Sequence, residues 1–119
     1  MKFGLIYPTT EIGGDPALIR QFIEGAEALG FDYITLLDHV LKVSHADREP
    51  KLHIPFDEKD AFDDPFVFFA FAAAMTRRLE FATGVLVLPQ RQTALVAQQA
   101  ANVDLLSRER HIPKRRRYR

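Results

Sequence analysis

The chain has 119 residues, 47% hydrophobic and 27% charged, with six glycines and seven prolines, a composition that excludes disordered and fibrous chains and fits one soluble globular domain. Sixteen basic residues balance sixteen acidic ones, but unevenly: residues 108–119 carry a net +6 and residues 1–107 a net −6. There is no cysteine, which excludes disulfides, thiol nucleophiles and cysteine-held zinc, and makes a reducing cytoplasm the expected setting.

Phe3 to Tyr7 is a short apolar run without alternation, the pattern of a strand covered on both faces in a parallel sheet, and Pro8 ends it. After a turn over Thr9 to Gly14, Asp15 and Pro16 form a helix start: the carboxylate accepts an orphan amide, and proline has none to lose. Leu18, Ile19, Phe22, Ile23, Ala26 and Leu29 share one helical face, and Gly30 stands where a left-handed cap belongs. Tyr33 to Leu37 is a second strand, 30 residues after the first when measured from Leu5 to Thr35, about the length of one βαβ unit.

Val40 to Asp63 is polar and charged and reads as an extended loop. Asp64 and Pro65 repeat the helix-start signature. The helix that they open, Phe66 to Thr76, is apolar nearly all round and so needs burial on more than one side. Arg77 and Arg78 close it, where cations suit the helix dipole. Leu79 to Leu88 is the third strand, stopped by Pro89, and Thr93 to Leu106 the third helix; no fourth strand is expected after it. Neither the amino-terminal run nor Phe66 to Met75 approaches the ~20 apolar residues of a membrane span. The fold class is therefore α/β with a parallel sheet, and the pattern favours the first three β/α units of an incomplete (β/α)8 TIM barrel over a small doubly wound sheet.

Asp38 and His39 follow the second strand directly, where side chains at carboxyl-terminal strand ends face the ligand crevice of such folds. A histidine there can exchange protons near neutrality and a carboxylate can orient a ligand; the alternative is that Asp38 caps a turn and His39 packs. Gly84 interrupts the third strand, which marks a bulge, a close backbone approach or tight packing. His45 and His53, with Asp47, Asp57 and Asp63 nearby, match no metal-site spacing and are expected to be solvated loop residues; no metal is expected. Gly13-Gly14 is neither a dinucleotide fingerprint nor a P-loop, and Glu11 in the same turn disfavours a flavodoxin-like phosphate site. The run Lys114 to Arg119 is basic, with one aromatic residue. A disordered tail over 108–119 is expected, and nucleic-acid binding, which would have to rest on that run, is the rival to an enzymatic reading.

Five segments in order, Phe3 to Pro8, Ala26 to Asp32, Leu37 to His39, Thr83 to Arg91 and Ala97 to Ser107, together resemble the luciferase-like monooxygenase family, most closely its branch using the deazaflavin coenzyme F420. The resemblance implies a (β/α)8 barrel domain, here present as its amino-terminal part over 1–107. It also implies a deazaflavin or, alternatively, FMN at the carboxyl-terminal mouth, and hydride transfer to or from a small organic substrate. It places Asp38 and His39 as catalytic residues, and Asp38 with Thr83, Gly84 and Val85 against the cofactor ring, with a cis peptide at Gly84-Val85. Where the family continues from the serine into a glycine-rich turn and a fourth strand, this chain reads Arg108-Glu109-Arg110-His111. A truncated or frame-altered family member is therefore expected, inactive alone, with an open edge at strand three or one. The inner faces of Leu5, Leu36 and Val85 would then lack facing strands, inviting self-association or a complementing barrel fragment.

Overall fold

A computed structural model describes residues 1–12 and 14–112. The elements in chain order are strand β1 (Gly4–Ile6), helices α1 (Thr9–Ile12) and α2 (Pro16–Ala28), strand β2 (Tyr33–Leu36), helix α3 (Pro65–Met75), strand β3 (Glu80–Thr83), a 3-10 turn (Leu88–Gln90), helix α4 (Thr93–Leu106) and strand β4 (His111–Ile112). All neighbouring strands pair parallel in the order β1-β2-β3-β4. Helices α2, α3 and α4 each return the chain to the start of the next strand, as parallel pairing requires.

The helix starts form as their sequences dictate. Asp15 accepts from the Ala17 amide at 2.8 Å, and Asp64 accepts from Phe66 and Val67 at 2.9 and 3.1 Å, each ahead of a proline at the first helical position. Gly30 takes the left-handed conformation, φ 85°, that ends α2. Thr9 to Ile12 winds into a short helix where the sequence suggested only a turn. Arg77 and Arg78 lie just beyond α3 rather than in its last turn. There the Glu27 carboxylate gathers the backbone amides of Arg77, Arg78 and Leu79 at 2.9, 2.5 and 3.2 Å. Burial pushes the Glu27 carboxyl up, but those three amides and the Arg78 charge outweigh it and hold it below the usual carboxylate range.

The core lies on one side of the sheet. Ile34, Leu36 and Phe81 are fully buried under Ile23 of α2 and Phe69 of α3, with Val103 of α4 beside them; Leu5 packs against the same cluster. Helix α3 buries Phe66, Phe68, Phe69, Ala72 and Ala73 but leaves Val67 66% exposed, so its all-round apolarity exceeds what this chain covers.

Two expectations are corrected. Leu5 and Leu36 belong to the helix-covered face, and the bare face carries Gly4, Ile6, Tyr33, Thr35 and Ala82 instead. In a strand the faces alternate with period two, so reading the phase one residue out exchanges them. Val85 does lack cover, being 62% exposed just past β3.

Second, a fourth strand exists. His111 and Ile112 pair with Phe81 and Ala82, so among the described residues the outermost strands are β1 and β4, and the sequence boundary at residue 107 falls inside continuous structure. Arg110 fastens this end: its guanidinium donates to the Thr76 hydroxyl at 2.8 Å and to the carbonyls of Leu79, Ala73 and Ser107 at 3.1, 2.9 and 2.6 Å. These bonds satisfy the orphan carbonyls near the ends of α3 and α4. The remainder of the expected tail, 113–119, including the basic run, lies outside the described residues.

Candidate functional site

The carboxyl-terminal ends of β2 and β3 lie side by side, and the segments leaving them build the site. The Gly84 amide donates to the Leu36 carbonyl at 2.8 Å, which extends the β2–β3 pairing one residue beyond β3. Asp38 follows two residues later on the neighbouring strand. Residues 38–39 and 83–85 therefore share one end of the sheet.

Asp38 is buried, 1% exposed, and both of its oxygens are engaged. Arg91 donates Nη2 to one oxygen at 2.6 Å and Nε to the other at 2.8 Å, and the Val87 amide adds a bond at 2.9 Å. The two parallel guanidinium bonds form the planar fork that arginine makes and lysine cannot. The third arm of Arg91, Nη1, reaches the α3 cap Asp64 at 2.8 Å, and the guanidinium lies 5.9 Å from the Phe66 ring centroid. Burial pushes the Asp38 carboxyl up, but the bonds from Arg91 and Val87 and the charges of Arg91 and His39 prevail, holding it below the usual carboxylate range. Asp38 is thus an ionised anchor that ties β2, the turn after β3 and the start of α3 to one cation.

His39 points elsewhere. Its ring sits 4.6 Å from Phe56 and 4.7 Å from Phe62, centroid to centroid, and those two rings contact each other at 5.1 Å. The half-buried imidazole is therefore braced by aromatic edges from the long loop, not by a carboxylate. Beside it opens a cleft of about 430 Å³, lined in part by Asp38, His39, Phe62, Arg91, Leu95 and Gln99. A braced imidazole at an open cleft can donate or accept a proton; the buried, doubly engaged Asp38 can orient but has no free oxygen to offer.

Thr83 and Gly84 stand at the same end of the sheet, outside the lining of that cleft. A Cβ built on Gly84 would overlap the Thr35 methyl on the bare face, so the close approach that this glycine permits is made by Thr35. The expected cis bond at Gly84-Val85 is absent: among the described residues Glu49-Pro50 is the cis peptide. A non-proline cis bond costs about 2.5–4 kcal/mol and needs surrounding packing to hold it. With Val85 62% exposed, such packing is not present.

His45 and His53 are exposed in the long loop, and no cluster of three or more metal-ligating side chains occurs among the described residues. Arg91, Phe56 and Phe62 are the site residues that sequence reasoning missed. Arg91 is 53 residues from Asp38 and the two phenylalanines lie in a loop without periodicity, so no local pattern marks them. No helix among the described residues is long and apolar enough to cross a membrane.

This parallel β/α array, with its polar residues gathered at the carboxyl-terminal strand ends, defines a piece of a TIM-barrel protein. Residues 1–112 match the luciferase-like monooxygenase family, and the chain belongs to that family. Similar solved structures include the oxygenating constituent of 3,6-diketocamphane monooxygenase from Pseudomonas putida in complex with FMN, at 19% identity and TM-score 0.70, over 94% of this chain and 28% of that one. Monooxygenase RslO1 from Streptomyces bottropensis is 25% identical, with TM-score 0.68, over 93% of this chain and 31% of that one. The coenzyme F420 dependent tetrahydromethanopterin reductase from Methanopyrus kandleri is 21% identical, with TM-score 0.67, over 93% of this chain and 25% of that one. No curated protein matches. The chain spans less than a third of the length of each of these three structures.

Proposed function

We propose that this chain supplies one side of a flavin-type ring site in an oxidoreductase, with hydride transfer between the deazaflavin coenzyme F420 and a small organic substrate as the reaction. The carrying observation is that His39, beside an open cleft, and the Thr83–Val85 segment lie at the same end of a parallel β/α sheet. Relatives in complex with FMN or dependent on coenzyme F420 share the fold, which supports a flavin-type ring in general; FMN is the second reading for this chain. The residues present suit a flat ring: Gly84 and Val85 are exposed beside the half-buried Thr83, and Phe56 and Phe62 brace the imidazole at the same end of the sheet. When bound, the ring supplies the hydride or oxygen chemistry. His39 holds or moves a proton at its ring nitrogen, while Asp38 acts by position, fixing the β2 end and the turn after β3 through Arg91. A cytoplasmic setting, read from the lack of cysteine, goes with this proposal.

The described residues provide no late barrel loops of the kind that grip a cofactor phosphate, so weak binding is expected from this chain by itself. Titrating the chain with FMN and with coenzyme F420 while following their fluorescence tests the reading. We expect shallow, unsaturated curves, steeper for coenzyme F420, that flatten at least fivefold in His39→Ala. Tight stoichiometric binding, or curves untouched by His39→Ala, would contradict it.

A further inference from the structure

At the end of the sheet away from Asp38 and His39, a cavity of about 350 Å³ opens between the last turns of α3 and α4, lined in part by Thr76, Arg77, Arg108 and Arg110, with Met75 and Leu106 as apolar walls. Among the described residues no carboxylate lines it. Arg110 is half-buried there, and its bonds to Ser107, Thr76, Leu79 and Ala73 engage all but one of its guanidinium N–H groups, the remaining one being on Nη2. Arg77 and Arg108 are exposed, and neither guanidinium has a hydrogen-bond or ion-pair partner among the described residues. Burial lowers the Arg110 pKa, the Glu27 charge opposes this, and the Arg108 charge adds to it. Glu27 lies outside the lining and is already held by three backbone amides.

Complementing the helix dipoles explains Arg110, whose bonds reach carbonyls near the ends of both helices, but it does not explain Arg108. Arg108 stands beyond α4 in left-handed backbone, φ 57°, a conformation that costs any residue with a Cβ. Strained backbone of this kind collects at ligand sites. We propose that the cavity binds a tetrahedral dianion, a phosphate group either free or carried on a small organic molecule, held by Arg77, Arg108 and the uncommitted N–H of Arg110. Three guanidinium groups without a lining carboxylate repel one another, and a dianion among them turns that repulsion into attraction. Their forked donors match the several oxygens of a phosphate, whereas a carboxylate has only two to share. The volume falls at the low end of ligand pockets, roughly 300–1,000 Å³, which suits a phosphate with a small substituent. This inference rests on the amino-terminal strand ends and not on the ring reading.

Amide chemical shifts of the labelled full chain test the site during titration with sodium phosphate, ionic strength being held constant with chloride. Saturating shifts are expected on residues 76–78 and 106–110, and Arg77→Ala and Arg108→Gly should each weaken the apparent affinity by at least tenfold. Because Arg108→Gly relieves the left-handed backbone, it should unfold at higher urea than the parent chain while binding worse, which separates lost binding from lost fold. Glycerol 3-phosphate distinguishes the two sources: tighter binding than inorganic phosphate marks a phosphoester, equal or weaker binding marks free phosphate. With the cavity filled by phosphate, an FMN titration reports the carboxyl-terminal strand ends alone. Shifts that never saturate, that fall on residues 113–119 instead, or that survive both substitutions would overturn the proposal.

Discussion

Asp38 is the residue on which the site turns, and its environment decides what it can do. A carboxylate so buried is tolerated because Arg91 and Val87 satisfy it, and Arg91 in turn needs Asp38 and Asp64. Breaking such a pair by removing one partner leaves an uncompensated buried charge, which typically costs about 3–5 kcal/mol. Arg91→Met should therefore lower stability by about that amount, seen as a reduced urea midpoint. Arg91→Lys should recover only part of it, because an ammonium cannot make the fork. Full recovery by lysine would show that charge alone is involved.

His111 and the depressed carboxylates Asp38 and Glu27 give the stability a defined pH dependence. His111 is buried beside Phe66 and Phe69, its Nε2 without a hydrogen-bond partner among the described residues, and burial lowers its pKa, the Asp104 charge opposing only in part. The unfolded chain then binds a proton more readily than the folded one. Its contribution is full above the ordinary histidine value of about 6.5 and is lost as pH falls from there through the folded value. Asp38, also depressed, keeps its contribution above the ordinary carboxylate value of about 3.9 and loses it as pH falls through its own lower value. Stability measured by denaturant from pH 8 to 3 should therefore decline in two stages, and His111→Phe should abolish the upper stage alone.

At the scale of elements, the connection from α4 to β4 carries strain that the sequence foreshadows. Arg108 and Glu109 both hold left-handed backbone, φ 57° and 63°, at the place where the family resemblance leads one to expect glycines. For a residue with a Cβ this region costs roughly 1–2 kcal/mol. Arg108→Gly and Glu109→Gly should each raise stability by about 1 kcal/mol in thermal or urea unfolding, against the usual direction of glycine substitutions. The β2–β3 contact offers a complementary test. Gly84→Ala places a methyl against that of Thr35 and should cost about 1–3 kcal/mol by overpacking, while the double variant Gly84→Ala with Thr35→Ala should recover most of it.

What was legible in the sequence was local. The Asp15-Pro16 and Asp64-Pro65 caps, the left-handed Gly30 and the extent of α3 need only near neighbours to specify them, and they form as read. The phase of the strands was not legible, because runs such as Phe3 to Tyr7 are apolar on both faces and show no alternation to read. Beta strand 4 escaped for another reason. Its two residues follow a charged run, and what holds it is Arg110 reaching carbonyls more than 30 residues away, together with pairing to Phe81 and Ala82. The site divides the same way: Asp38 and His39 stand out by following a strand, whereas Arg91 and the two phenylalanines become partners only once the chain is folded.

For the whole molecule, the described residues form a continuous arc of three β/α units and a fourth strand, with its helices on one face and the other face bare. The two ends of that arc are chemically different. The carboxyl-terminal end holds Asp38, His39 and the Thr83–Val85 rim, while the other end holds Lys2, Arg78 and Arg110. A phosphate-bearing ligand attracted by charge alone would choose the second end; a ring recognised as in the family would choose the first. Amide chemical-shift mapping of the labelled chain during titration with FMN distinguishes these most directly. The largest shifts are expected on residues 38–39 and 83–87; shifts concentrated on residues 2–3, 77–79 and 108–110 would contradict a ring site at the carboxyl-terminal strand ends.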